Sequence, residues 1–184
     1  MTKPSGSNEF VDRLRSGDME AFEALYVEYR PRLAKFVSNL VAQPETVEEV
    51  INDTMVAIWK GVDRFQGSSK LSTWIFSIAY RIAIRARGRQ DLPVSDDKLI
   101  YEESQLDNPD VEVERRKLQD LLRNAFEQLS PEHRSVVDLT YFHEMHYREI
   151  AVIMDCPVDT VKTRMFHARK KLKGLLGGSL PDWL

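Results

Sequence analysis

Apolar and polar positions alternate with a helical period along most of this chain. Ala21, Phe22, Leu25, Tyr26 and Tyr29 recur at the spacing of one helix face, and Leu33, Phe36, Val37 and Leu40 continue it past Pro31. Asp18, after Gly17, suits the N-cap, and Pro31 predicts a kink where it removes one helical hydrogen bond. Val47, Val50, Ile51, Thr54, Ile58 and Trp59 predict a second long helix, with Glu45, Glu48, Glu49 and Asp53 on its other faces. Gln66-Gly67-Ser68-Ser69-Lys70 reads as a loop, after which Ser72 is expected to cap a helix from Thr73 to about Gly88.

A second helical block starts with Leu118, Leu121, Leu122, Ala125, Phe126 and Leu129. Ser130-Pro131 pairs an N-cap with a first-turn proline and opens a helix through Val136, Val137 and Leu139. Two shorter helices follow, Tyr147 to Met154 and Val158 to about Leu175. No strand alternation and no internal repeat interrupts this pattern. Between the blocks, Asp91 to Glu114 holds nine acids, two prolines and the single base Lys98, the composition of a linker. The fold expected is therefore all-α: two small helical domains, residues 1–90 and 115–176, joined by an acidic linker over 91–114. A flexible tail, 177–184, ends the chain and carries Trp183.

Composition narrows the function classes. The net charge of −3 means that any nucleic-acid surface must arise from local segregation of basic residues. The lone Cys156 has no partner for an internal disulfide, which fits a reducing, cytoplasmic setting. The polar N-terminus carries no apolar signal core, and no apolar run approaches the roughly 20 residues of a membrane span.

Segregated charge is found in the final helix. Six Lys or Arg and no acid lie between Thr160 and Lys173. Tyr147 to Leu172 also has the pattern of a helix-turn-helix. Ile150, Ala151 and Met154 form the inner stripe of its first helix, and small Ala151 permits close crossing. Asp155 takes the tight turn, where Asp tolerates the left-handed conformation better than most residues. Cys156 follows as an apolar, inert thiol. Val161, Met165, Ala168 and Leu172 form the core stripe of the second helix. Lys162, Thr163, Arg164, Phe166, His167, Arg169 and Lys170 are then the candidates for DNA, with donors for base edges and cations for phosphates.

A second basic run, Arg81, Arg85, Arg87 and Arg89, follows Trp74, Phe76 and Tyr80. Interleaved aromatics and cations suit unstacked single-stranded bases, although the residues alone favour Trp74 and Phe76 as core packing. His143-Glu144-Met145-His146 superficially resembles a zinc-protease signature. That signature needs its second His four residues after the first, and position 147 is Tyr. No metal, no cofactor and no enzymatic activity are expected.

Leu129-Ser-Pro-Glu-His-Arg, Tyr147-Arg-Glu-Ile-Ala and Thr160-Val-Lys-Thr-Arg-Met-Phe-His-Ala-Arg-Lys-Lys-Leu together resemble the extracytoplasmic-function (ECF) group of bacterial sigma factors. Val47-Glu-Glu-Val-Ile-Asn-Asp-Thr-Met resembles that family's polymerase-binding helix. Ser72-Thr-Trp-Ile-Phe-Ser-Ile-Ala resembles the start of its promoter-melting helix. The resemblance spans about Glu20 to Leu176. It implies that the chain is a promoter specificity subunit of RNA polymerase. Glu49, Asn52 and Asp53 would contact the clamp helices of the polymerase's largest subunit. Gly67, Ser68, Ser69, Lys70, Trp74, Tyr80, Arg81 and Arg85 would serve the melted minus-ten element, and the final helix would read the minus-thirty-five element as duplex. An anti-sigma factor is the further partner implied. The chain departs from the family at Glu49 and Asn52, where Asp and Gln are usual, at Arg81 and Arg85, where Asn and Asp are common, and at His167, where Arg is frequent. The rival reading is a free-standing helix-turn-helix regulator. Such regulators usually add a ligand pocket or a dimerisation seam, and neither pattern is present.

Overall fold

The structure, a computed structural model, describes residues 5–89 and 120–176. The expected linker over 91–114, Leu118 and the tail with Trp183 lie outside the described residues. Among those described every regular element is helical, and the chain divides into two units, one built mainly from the residues before 90 and the other mainly from those after 119.

The first unit comprises α1 (Ser5–Arg15), α2 (Met19–Ser38), α3 (Pro44–Gly61), a 3-10 turn (Val62–Arg64) and α4 (Leu71–Arg89). The Asp18 carboxylate accepts from the amides of Glu20 and Ala21 and starts α2, while Gly17 takes φ 77° so that the chain can reverse after α1. Leu25, Leu33, Phe36, Ile51, Ile58, Ile75 and Phe76 are fully buried where α2, α3 and α4 meet. Each such side chain contributes roughly 1.5–3 kcal/mol by leaving water. Phe36 and Phe76 pack edge to face, 5.2 Å between ring centres.

Two expectations change here, at α1 and at the start of α4. α1 is a helix that the pattern of apolar positions described above does not include; its Val11 and Leu14 are buried, and Arg15 donates to the Phe65 carbonyl. Helix α2 runs unbroken through Pro31, which lies on the exposed face. The carbonyl that Pro31 leaves unbonded belongs to Val27, itself exposed to water, so the cost is small. Helix α4 begins at Leu71, not Thr73, and the Trp74 amide bonds the Lys70 carbonyl. Ser72 thus lies inside the first turn and does not cap it.

The second unit comprises α5 (residues 120–127), α6 (Pro131–Tyr141), α7 (Tyr147–Ile153) and α8 (Val158–Leu175). The Ser130 hydroxyl accepts from the His133 amide and Pro131 takes the first turn of α6, as the sequence pattern predicts. Ala125, Leu129, Val136, Leu139, Ile150, Val161 and Met165 form the core. Leu121 and Leu122, expected to face inward, are exposed. The inward positions of α5 are Ala125 and, just beyond it, Leu129.

Candidate nucleic-acid interface

Helices α7 and α8 form the helix-turn-helix. Asp155 adopts φ 49°, the left-handed conformation that turns the chain sharply after α7, and the Cys156 amide closes the turn on the Ala151 carbonyl. Ala151 is buried at the crossing. All four stripe residues of α8, Val161, Met165, Ala168 and Leu172, are buried. Their burial fixes the rotation of the helix and determines what points outward.

Lys162, Thr163, Phe166, His167 and Lys170 are exposed, with Phe166 62 % accessible. An aromatic ring held in water costs free energy unless a partner covers it. Its edge packs on His167, 5.4 Å between ring centres. Lys162 pairs with Asp159 at 2.9 Å, an exposed i,i+3 contact that is too weak to restrain the ammonium when a better acceptor arrives. The Thr163 hydroxyl donates to the Asp159 carbonyl. The two remaining candidates are half-buried. Arg164 lies 3.7 Å from the Cys156 sulfur, and Arg169 donates to the Tyr141 hydroxyl at 2.7 Å. Cys156 is itself half-buried rather than fully enclosed.

On the first unit, residues 65–70 form a non-helical loop in which Gly67 takes φ 69°. Gly67, Ser68 and Lys70 are exposed and Ser69 half-buried. Arg81 and Arg85 are exposed one turn apart on α4. Arg81 folds back along the helix, its Nε donating to the Ser77 carbonyl at 3.0 Å. The aromatics divide. Phe76 belongs wholly to the core, as the packing alternative holds. Trp74 is half-buried against Phe65, 5.2 Å between ring centres, and Tyr80 is half-buried near Phe36. Trp74 and Arg81 lie seven residues apart and so share a helix face.

Glu49, Asn52 and Asp53 are exposed on α3, clear of its buried stripe. Glu48 beside them is turned to Arg30, whose guanidinium meets both carboxylate oxygens at 2.9 and 3.0 Å. Among the described residues no group of three or more His, Cys, Asp or Glu could hold a metal. The His143 ring is buried, 3.2 Å from the Asp138 carboxylate, and His146 is exposed. None of the described helices is long and apolar enough to cross a membrane.

Known proteins share this arrangement. Residues 25–92 match the family described as Sigma-70 region 2, and residues 119–172 match Sigma-70, region 4. The ECF RNA polymerase sigma-E factor of Escherichia coli K12 is 32% identical over 173 residues, covering 88% of this chain and 90% of that relative. The chain belongs to the ECF sigma factors. It binds core RNA polymerase and promoter DNA and directs transcription initiation as an alternative sigma factor; the free-standing regulator is not favoured. The sigma-H factor of Pseudomonas aeruginosa is 26% identical, covering 89% of this chain and 90% of the relative. Among solved structures, the fold of this sigma factor is similar to RpoE of Bartonella quintana in complex with the anti-sigma factor NepR. There the TM-score is 0.66 at 24% identity, over 86% of this chain and 98% of the other. It is also similar to CnrH in complex with the cytosolic domain of CnrY, with TM-score 0.65 at 22% identity, over 95% and 99%.

Sequence reasoning missed His133, Tyr141 and Lys171 at this sigma factor's α6–α8 junction. Each is an isolated residue whose place depends on how two helices cross, and no spacing rule marks it. His133 lies with its ring centre 6.3 Å from that of His167. Burial first, and then the neighbouring His167 ring and the Arg164 and Lys171 cations, hold its imidazole below the ordinary value, while Glu132 pulls the other way.

Proposed function

We propose that the two units divide promoter recognition between them. The first, within residues 1–90, docks on the clamp helices of the polymerase's largest subunit through Glu49, Asn52 and Asp53. It also accepts the melted minus-ten strand along the 67–70 loop, Trp74, Tyr80, Arg81 and Arg85. The second, within residues 115–176, lays α8 in the major groove of the minus-thirty-five element. The linker of residues 91–114 joins them; its acidity, which mimics a phosphate backbone, suits a path through a nucleic-acid channel.

One observation carries this reading. The α8 stripe is buried, so Lys162, Thr163, Phe166, His167 and Lys170 point away from the core on a helix without an acid after Asp159. On this reading Lys162 and Thr163 meet base edges near the entry of the helix, and Lys170 meets phosphates. Arg164 and Arg169 add charge from the flanks. The protein acts without catalysis of its own, in the cytoplasm where polymerase works. An anti-sigma factor is its further partner, since both structural relatives named above were solved with a bound chain, one of them described as an anti-sigma factor.

The experiment is selection of promoters from a genomic fragment pool with holoenzyme reconstituted from core polymerase and this chain. Selected fragments should share two spaced elements and support specific initiation. Fragments with a single element, bound equally well without polymerase, would refute the division of labour.

A further inference from the structure

Asp138 lies in the last turn of α6, and the His143 ring, two residues past that helix, meets its carboxylate at 3.2 Å. Both side chains are buried, His143 3 % exposed and Asp138 1 %. A carboxylate in a core is costly unless a partner meets it, and an apolar pair of similar volume generally stabilises a fold as well or better. Net stability therefore gives no reason for this pair. Its direction does.

The segment between α6 and α7, residues 142–146, turns two side chains inward, His143 and Met145, while Phe142, Glu144 and His146 are exposed. Its backbone is tied by the Phe142 amide to the Asp138 carbonyl at 2.9 Å and by the Met145 amide to the Leu139 carbonyl at 3.0 Å. Between them Glu144 takes φ 52°, a left-handed conformation that a residue with a Cβ keeps only where its surroundings hold it. Met145 fills space without direction, whereas an imidazole and a carboxylate meet in a defined geometry. His146 then opens α7: its amide donates to the Glu149 carboxylate at 2.9 Å, and its carbonyl accepts from the Ile150 amide at 3.0 Å. Helix α7 has seven residues, too few to form by propensity alone, so its start depends on the segment before it. Through the Asp155 turn it leads directly into α8.

We propose that the Asp138–His143 pair is a positioning device for the helix-turn-helix. It holds residues 142–146 in one conformation, and so fixes where α7 begins and how α8 is offered to the duplex. Neither residue touches DNA. The assignment rests on the reading of α8 as the major-groove helix. The two side chains act as a unit: removing either frees the same segment, so losing both costs promoter binding no more than losing one.

The test uses holoenzyme made with the full-length chain, titrated onto labelled promoter duplex and its single-base variants at a temperature where circular dichroism shows each variant folded. Asp138→Ala, His143→Leu and the double variant should each bind the promoter roughly three- to tenfold more weakly, by one shared factor. Melting curves separate positioning from bulk stability. Each single variant should melt several degrees below the parent. The double variant, with apolar side chains of similar summed volume, should recover most of that loss without recovering affinity. His143→Gln keeps a polar group beside Asp138, which keeps the test valid if the apolar variants fold poorly. It too should weaken promoter binding at least about threefold, because its amide cannot reproduce the geometry of the ring.

A double variant that regains parental affinity together with its melting point would make the pair merely structural and overturn the proposal. Parental affinity in the single variants, or losses that multiply in the double variant, would do the same. Lys162→Ala tests the reading beneath. If it relaxes base discrimination while the pair variants bind as the parent does, α8 reads the groove and the positioning role alone is wrong. If it changes no discrimination, the reading of α8 itself fails.

Discussion

Arg169 on α8 donates to the Tyr141 hydroxyl at the end of α6 at 2.7 Å, and its guanidinium carbon lies 5.9 Å from the centre of that ring. A side chain that composition alone would assign to a phosphate thus ties α8 to α6. The contact joins residues 28 positions apart. Tyr141→Phe removes the hydrogen bond and keeps the ring. It should lower stability by about 1 kcal/mol in denaturant titration and leave promoter affinity within about twofold. Arg169→Ala should lose more stability and also affinity, because the helix loses its tether together with a positive charge.

Asp155 gives a backbone prediction. At φ 49° a side chain with a Cβ is strained, and Asp bears the strain better than most. Asp155→Gly should hold or raise the thermal midpoint of the chain, by up to about 1 kcal/mol of stability. Asp155→Val should lower it by more than that. Thermal melts of the full-length chain followed by far-ultraviolet circular dichroism would measure both. Equal melting of the two variants would mean that the turn is not under this constraint.

How far the sequence alone could be read depended on the kind of information required. The α8 stripe, the Asp155 turn, the Asp18 cap and the Ser130-Pro131 start were legible because each is a local rule of spacing or capping. Helix α1 follows the same rule through Phe10, Val11 and Leu14, but its polar start, Ser5-Gly6-Ser7-Asn8, concealed it. Leu121 and Leu122 failed in the opposite way, since apolar residues need not be buried and only packing decides which are. On α8 the exposure of Lys162, Thr163, Phe166, His167 and Lys170 follows from the stripe opposite them, whereas the partial burial of Arg164 and Arg169 does not. The places of Tyr141, His133 and Lys171 depend on α6 crossing α8, and no one-dimensional pattern encodes that.

The Asp18 cap predicts a pH response. The Arg13 side-chain hydrogen bond first, and then the Ala21 amide, hold its carboxyl below the ordinary carboxylate value in the folded chain. A depressed folded value means that the stabilisation is present above the unfolded value, about 3.9, and is lost as pH falls through the folded one. The first unit should therefore lose part of its stability in that acid window, and Asp18→Ala should flatten the loss. Indistinguishable acid-side melting curves for parent and variant would remove Asp18 from the account.

Polymerase docking makes the last prediction. Glu49 and Asp53 lie one turn apart on the exposed side of α3, while Glu48, their neighbour, is engaged by Arg30. The burial pattern of α3 leaves Val47, Val50, Ile51, Thr54 and Ile58 to hold the helix in place. Reversing a charge at position 53 should therefore leave the fold intact. If the clamp helices present basic groups to this face, Asp53→Arg replaces attraction with repulsion at a desolvated contact, and truncations at such contacts already cost about 2 kcal/mol or more. Core polymerase should then bind the variant at least about thirtyfold more weakly. Glu48→Ala, which removes an exposed ion pair within the unit, should change polymerase affinity little and stability by less than about 1 kcal/mol. Titration of labelled chain with core polymerase, with melting curves for each variant, distinguishes the outcomes. If Glu48→Ala weakens assembly as much as Asp53→Arg does, the docking face is centred one residue away from Glu49 and Asp53, around the Arg30 side of α3.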